Sequence, residues 1–367
     1  MNRIILCAAP ALATLVATPA VAQEAAASQD VIEVTHQLLT PAAGLMNDHM
    51  HEGGEIMVGL RFERQRFGGL NQRGTDTLDD AQVLAAGYNT KVGTMEMDMV
   101  MLDLMFAPTD NLTLMVMPHY MWHRMTMVGI DPANTGMGDG GGHDEGHGSG
   151  HGHGGLPFGE THAHGSKGFG DTLVSASYRL ARTDSFRAHG TIGVWVPTGK
   201  VGLRNPNGSF THYMMQPGSG TWDIEPSLTV SGQAGSMGWG GQASYRWRTD
   251  GENKSGYALG DKARITGWLS YLLGSEWGAT ARVEYEHEGA ILGHYNGPHN
   301  HNTPVDIQAN YGGDVVSAGF GLNWLLPTGT ARRPQLGAEF AVPVYQNLNG
   351  IQLPRDWRVS ISLAQTF

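Results

Sequence analysis

The stretch MEMDMVMLDLMFAPTDNLTLMVMPHYMWHRMTM (residues 95–127) decides the fold. Its odd positions up to the turn carry Met95, Met97, Met99, Met101, Asp103 and Met105, and its even positions settle into Val100, Leu102, Leu104 and Phe106. After the break at 107–111 the odd positions carry Met115, Met117, His119, Met121, His123, Met125 and Met127, against Leu112, Leu114, Val116, Pro118, Tyr120 and Trp122. A period of two is the mark of strands, because successive side chains leave opposite faces. These residues therefore predict a hairpin with one aliphatic and aromatic face and one face of thioethers and imidazoles.

The same alternation recurs along the chain. It predicts strands at 56–67, 94–107, 111–127, 171–181, 185–197, 222–233, 237–249, 261–273, 276–288, 313–326, 334–345 and 357–367. Short links follow the even-numbered segments and long links the odd ones. Tight turns at one end and long loops at the other describe a transmembrane antiparallel up-and-down β-barrel of about twelve strands, an all-β fold with both termini in the periplasm. A two-sheet sandwich alternates equally well and is the competing architecture. Tyr120, Trp122, Trp239, Trp247, Tyr271, Trp277, Tyr285, Trp324 and Trp357 continue the apolar parity near segment ends, where interfacial girdles belong.

Composition narrows the class. With 34 acidic against 23 basic residues the net charge is −11, which disfavours nucleic-acid binding. Residues 1–22 read as an export signal, with Arg3, an apolar run, and Ala20-Val21-Ala22 before the cleavage point. The single cysteine, Cys7, falls inside it, so a mature chain has no thiol for disulfides or thiolate chemistry. Beyond it no apolar stretch is long enough for a spanning helix. Residues 23–55 read as a periplasmic or plug-like segment, residues 56–367 as the barrel, and residues 134–168 as a Gly/His-rich external loop. The localisation implied is the bacterial outer membrane, with its lipid as one partner and a homo-oligomer as an open option.

Candidate chemistry lies in the thioethers and imidazoles. A turn centred on Thr109 opposes Met101 to Met117, Met99 to His119, Met97 to Met121 and Met95 to His123. Spacings of roughly 6.6 Å along a strand and 4.8 Å across let flexible thioethers share one ion. Met and His without thiolate favour a soft ion such as Cu(I), whereas Mg and Ca need oxygen donors. The candidate metal ligands are Met95, Met97, Met99, Met101, Met115, Met117, His119, Met121 and His123, with His49, Met50 and His51 as a second cluster. His143, His147, His151, His153, His162 and His164 form a third, external set suited to weak divalent capture. Packing against a lumenal segment is the plain alternative for the methionines. No hydrolase elbow, phosphate loop or zinc-protease motif occurs, so neither an enzyme nor a required cofactor is expected.

The stretches NDHMHEGGEIMVGLRFERQRFGG (residues 47–69) and GYNTKVGTMEMDMVMLDLMFAPTDNLTLMVMPHYMWHRM, together with Phe169-Gly170-Asp171, resemble a Met-rich branch of bacterial outer-membrane transporter-like barrels. That branch is similar to the barrels grouped with the meta-pathway of phenol degradation. The resemblance implies passage of small, often hydrophobic compounds for the broader family and copper handling for the Met-rich branch. Two transport readings follow: a barrel that binds or moves metal, most simply copper, and a channel for small hydrophobic or aromatic solutes. A plugged structural or adhesive barrel is the third.

Overall fold

The computed structural model describes residues 38–41, 43–136, 155–327 and 332–367. Twelve antiparallel strands close into a barrel. They are β1 (Ile56–Phe67), β2 (Thr90–Thr109), β3 in two segments (Leu112–Met117 and His119–Gly129) and β4 in two segments (Thr161–Phe169 and Thr172–Arg182). There follow β5 (Phe186–Val196), β6 (Asp223–Ala234), β7 (Met237–Arg248), β8 (Lys262–Leu272), β9 (Trp277–Glu288), β10 (Gly313–Leu325), β11 (Gln335–Gln352) and β12 (Arg355–Thr366). β1 pairs with β12 on one side and β2 on the other, which shuts the cylinder. No sandwich edge exists between them.

Alternation sets which face meets lipid. Along β1, Ile56, Val58 and Leu60 are 48, 40 and 53% exposed, while Met57 between them is 6% exposed. On β2, Leu102, Leu104 and Phe106 face outward while Met101, Asp103 and Met105 are buried. The apolar band ends on β1 and β2 where the outward Arg64 grips Asp98 at 2.5 and 2.8 Å. Outward aromatics rim both ends, with Tyr120 beside Trp122 at one and the stacked Trp277 and Trp324 at the other. This girdle is the expected placement of amphipathic rings at a membrane interface.

Three elements depart from the sequence expectation. The β2–β3 turn is the dipeptide Asp110-Asn111, since Thr109 pairs with Leu112. A register irregularity between Phe106 and Thr109 takes back one position, so beyond it the register differs from the expectation by two residues: Met101 faces His119, Met99 faces Met121, Met97 faces His123 and Met95 faces Met125. The parity survives because a two-residue slip preserves faces. Second, Thr161–Phe169 is a strand, although it falls within the stretch read as external loop; it pairs with the upper half of β3 from Tyr120↔Phe169 to Val128↔Thr161. Among the described residues this segment has no ladder partner on its other side, because β5 ends at Val196, opposite Thr172. Third, β11 and β12 extend to a turn at Leu353-Pro354 instead of leaving a long loop.

The lumen is filled from both ends. At the periplasmic end residues 38–41 and 43–51 run inside the wall, with Leu38, Leu39, Ala43 and Leu45 buried. Their backbone carbonyls need donors, and inward side chains supply them. Ser270 donates to Leu39 at 2.7 Å, Asn323 to Thr40 at 2.8 Å, and Arg61 to both Ala43 and Leu45 at 2.7 Å. Gln242 donates to Met46 at 3.0 Å and His189 to Asn47 at 2.9 Å. Irregular backbone at membrane depth is stable only when enclosed and paired in this way. Across the lumen runs a ladder of paired ions. Arg282 bridges Glu339 and Glu284, Arg358 reaches Glu284 at 2.9 Å, and Arg355 reaches Glu286 at 3.1 Å.

Because Arg282 and Glu339 are almost fully buried, removing one partner strands a charge. Glu339→Leu is expected to destabilise the barrel by about 3 kcal/mol, and Arg282→Met/Glu339→Leu by clearly less. Denaturant unfolding in detergent micelles, followed by gel mobility of the folded barrel, measures both.

Candidate functional site

Between the periplasmic segment and the external loops lies a cavity of about 440 Å³. Its first wall comes from β2 and β3, whose inward rungs place Met97 beside His123, Met99 beside Met121 and Met101 beside His119, with Gln65, Glu63 and Arg61 of β1 flanking them. Its opposite wall carries Arg246, Arg264 and Glu286, and Arg358 of β12 closes the ring beside Gln65. Arg246 is bound to Glu225 at 2.8 Å and lies over the Trp195 ring, 3.7 Å from its centroid. One side is soft and polarisable; the other is ionic but mutually neutralised.

The methionine column divides by height. At and below the cavity floor, Met101, Met105, Met115 and Met117 pack with Met57, Leu173 and Trp195, and Met46 of the inner segment rests on them, with Met101 and Met117 forming part of the floor itself. Above it, Met95, Met125 and Met127 pack with Val92, Met215 and Val305. The methionines least enclosed by packing are Met97, Met99 and Met121, and all three line the cavity. Flexible thioethers suit both tasks, as fillers against irregular inserts and as an adaptable lining.

The histidines are scattered. His123 lies 3.1 Å from Ser166 Oγ, and His119 meets Trp195 edge-on at 6.1 Å. His49 bonds to Asp48 at 2.9 Å and His51 lies 3.4 Å from Glu55. Those two rings are 5.0 Å apart, with Met50 buried beside them on the β4 and β5 side, away from the cavity lining. His162 and His164 share one face of Thr161–Phe169 with centroids 5.7 Å apart, and His164 also meets His212 at 5.2 Å. His143, His147, His151 and His153 lie outside the described residues, as do residues 1–22. Among the described residues no three His, Cys, Asp or Glu side chains converge as a metal-holding group.

The external ceiling was invisible in the periodicity. Residues 197–222 and 289–312 turn inward and stack Phe210 on Tyr295 at 4.2 Å and Tyr295 on Tyr213 at 4.3 Å. His212 Nδ1 and Asp306 Oδ1, 2.7 Å apart, join the two loops. Burial alone would raise the Asp306 carboxyl, but the hydrogen bond and charge of His212, with hydrogen bonds from Thr303, outweigh it and hold the group below its ordinary value of 3.8. Scattered Tyr and His in loops carry no spacing that would reveal this layer.

A family model described as "Putative MetA-pathway of phenol degradation" matches residues 133–353, more than half of the chain. An outer-membrane channel from Pseudomonas putida F1 superposes with a TM-score of 0.54 at 13% identity, over 88% of this chain and 99% of its own. At that identity the likeness is one of fold. The P. putida toluene transporter aligns over 86% of this chain and 90% of its own, at 9% identity and a TM-score of 0.37, too loose a superposition to carry further meaning. No curated protein matched the chain.

A carboxyl held low stabilises the folded form above its unfolded value and ceases to do so as pH falls through the lowered one. Asp306→Asn is therefore expected to speed amide exchange in residues 210–216 at roughly pH 7, with the difference from wild type fading as pH falls below 3.8 and through the lowered carboxyl pKa. Equal exchange at neutral pH would remove the clamp.

Proposed function

Because the chain belongs to the family described as a putative MetA-pathway of phenol degradation, and a methionine-walled cavity lies inside its barrel, we propose an outer-membrane channel for small, largely apolar solutes. The solutes best suited are monocyclic aromatics bearing one polar group. The supporting observation is the cavity itself, with Met97, Met99 and Met121 on one wall and neutralised ion pairs on the other. A cavity of about 150 Å³ suffices for benzene, so about 440 Å³ accommodates a substituted ring with room to turn. Sulfur against an aromatic ring contributes about 0.3–1.5 kcal/mol, enough to favour entry and too little to prevent release. A hydroxyl on the ring finds donors and acceptors on the ionic wall.

A second reading rests on register: Met97 opposite His123 and Met101 opposite His119 offer thioether–imidazole pairs to a soft ion such as Cu(I). In it the other candidate thioethers form successive weak sites, and His162 and His164 make first contact. The family model, whose description concerns phenol degradation, gives it less support than the solute channel.

Phenol flux into liposomes carrying the refolded protein separates the two. Replacing Met97, Met99 and Met121 together by Gln is expected to lower that flux about tenfold, the effect of roughly 1.4 kcal/mol, while glycerol passage holds. Phenol flux insensitive to the triple change, together with Cu(I) binding abolished by Met97→Leu/His123→Ala, would instead favour the metal.

A further inference from the structure

One cation on the ionic wall of the cavity stands outside its neutralisation. Glu286 is shared by three neighbours: Arg355 holds Oε1 at 3.1 Å, Lys262 holds Oε2 at 3.1 Å, and Arg264 Nε stands 3.7 Å from that same Oε2, beyond hydrogen-bond reach. Lys262 has Glu288 as well, at 3.2 Å. Arg264 has no such second carboxylate. Its Nε is buried without an acceptor, and among the described residues none accepts a hydrogen bond from its guanidinium. We propose that Arg264 is an anion-binding residue of the cavity and that the solute it selects is an aromatic monocarboxylate, bound through its carboxylate here and through its ring at the methionine wall. Such a site rests on the solute-channel reading and specifies the polar group on the ring.

A guanidinium taken out of water is costly unless an anion is hydrogen-bonded to it. The other arginines of this wall obey that rule: Arg282 is held by Glu339 and Glu284, Arg358 by Glu284, and Arg246 by Glu225. Arg264, whose side chain is only 21% exposed, does not. Nor do the paired carboxylates screen the cavity. Arg246, Arg264 and Arg358 line it, whereas Glu225 and Glu284 lie outside the lining, so the space meets guanidinium edges first.

Position and chemistry select the ligand class. Arg264 is on β8, and Met97, Met99 and Met121 are on β2 and β3, five and six strands away around a closed ring of twelve, so the two walls face each other across one cavity. A guanidinium offers paired N–H donors that match the two oxygens of a carboxylate. Thioethers favour an aromatic ring at the other end. Ser244 pairs with Arg264 and Arg246 with Lys262, which makes Arg246 the diagonal neighbour of Arg264 on the inward face. With Nε given to Glu225 and its plane against Trp195, Arg246 adds positive field beside the site. A single negative charge balances Arg264; a second would meet Glu286 and Glu288 of the same wall.

Benzoate is the probe, with benzyl alcohol as its neutral analogue and acetate as the anion without a ring. Wild-type protein in micelles is expected to bind benzoate about tenfold more tightly than either control by calorimetric titration, and Arg264→Gln to lose that margin. In liposomes, at solute concentrations below saturation, the ratio of benzoate to benzyl alcohol flux is expected to fall about tenfold in Arg264→Gln. Partial recovery is expected in Arg264→Lys, which keeps the charge without the fork. A purely structural role for Arg264 changes both fluxes alike, and that result overturns the proposal. So does a wild type that binds benzoate no more tightly than benzyl alcohol or acetate, a measurement that needs no variant. Phenol flux through the wild type separates the two levels: phenol passing without any preference for benzoate removes the carboxylate site and leaves the channel, and passage of neither removes both.

Discussion

Lipid offers no partner to a peptide group, and the whole molecule follows from that. Each strand must find ladders on both sides at membrane depth, and the junction of β1 with β12 and β2 removes the last free edges there. Once closure is fixed, a side chain has two destinations. Leu102, Leu104 and Phe106 go to the bilayer, and Met101, Asp103 and Met105 go to the interior. The strand Thr161–Phe169, which among the described residues is laddered on one side alone, escapes the full constraint because most of it rises beyond the apolar band, where water can meet its other edge.

Closure creates a second problem, an interior too wide for wall side chains to fill alone. The chain solves it with its own irregular segments. Residues 38–41 and 43–51 enter from below and present carbonyls to Ser270, Asn323, Arg61 and Gln242, so the insert is held by specific hydrogen bonds as well as by apolar contact. The ion ladder around Arg282, Glu284 and Glu339 does for charge what those bonds do for the backbone. Desolvated ions are tolerable only because each has an opposite within reach.

Methionine serves two purposes in this setting. Where inserts press on the wall, at Met101, Met105, Met115 and Met117 below and Met95, Met125 and Met127 above, the thioethers fill irregular gaps. Between those layers Met97, Met99 and Met121 border open space and give it an apolar, deformable side. One residue type, repeated every second position, thus acts as packing or as lining according to what stands opposite it.

Period-two alternation determined the strand count, the apolar face and the placement of the Met and His columns on the other face, because a side chain's face depends only on its own strand's parity; closure, as against a two-sheet sandwich, was decided by the pairing of β1 with both β12 and β2. Boundaries held to within a few residues, apart from the longer β11–β12 pair and the added strand Thr161–Phe169, whose Gly and His residues lack any alternation of hydrophobicity. Register across the β2–β3 turn required the actual turn type, since Thr109 to Leu112 could close as a two-residue or a longer link and each choice slides every opposed pair. The separation of the methionines into packed layers and cavity wall, the inward loops with Phe210, Tyr213 and Tyr295, and the pairing of Thr161–Phe169 with β3 were decided by tertiary structure alone. They arise from contacts between segments far apart in the chain, which local periodicity does not encode.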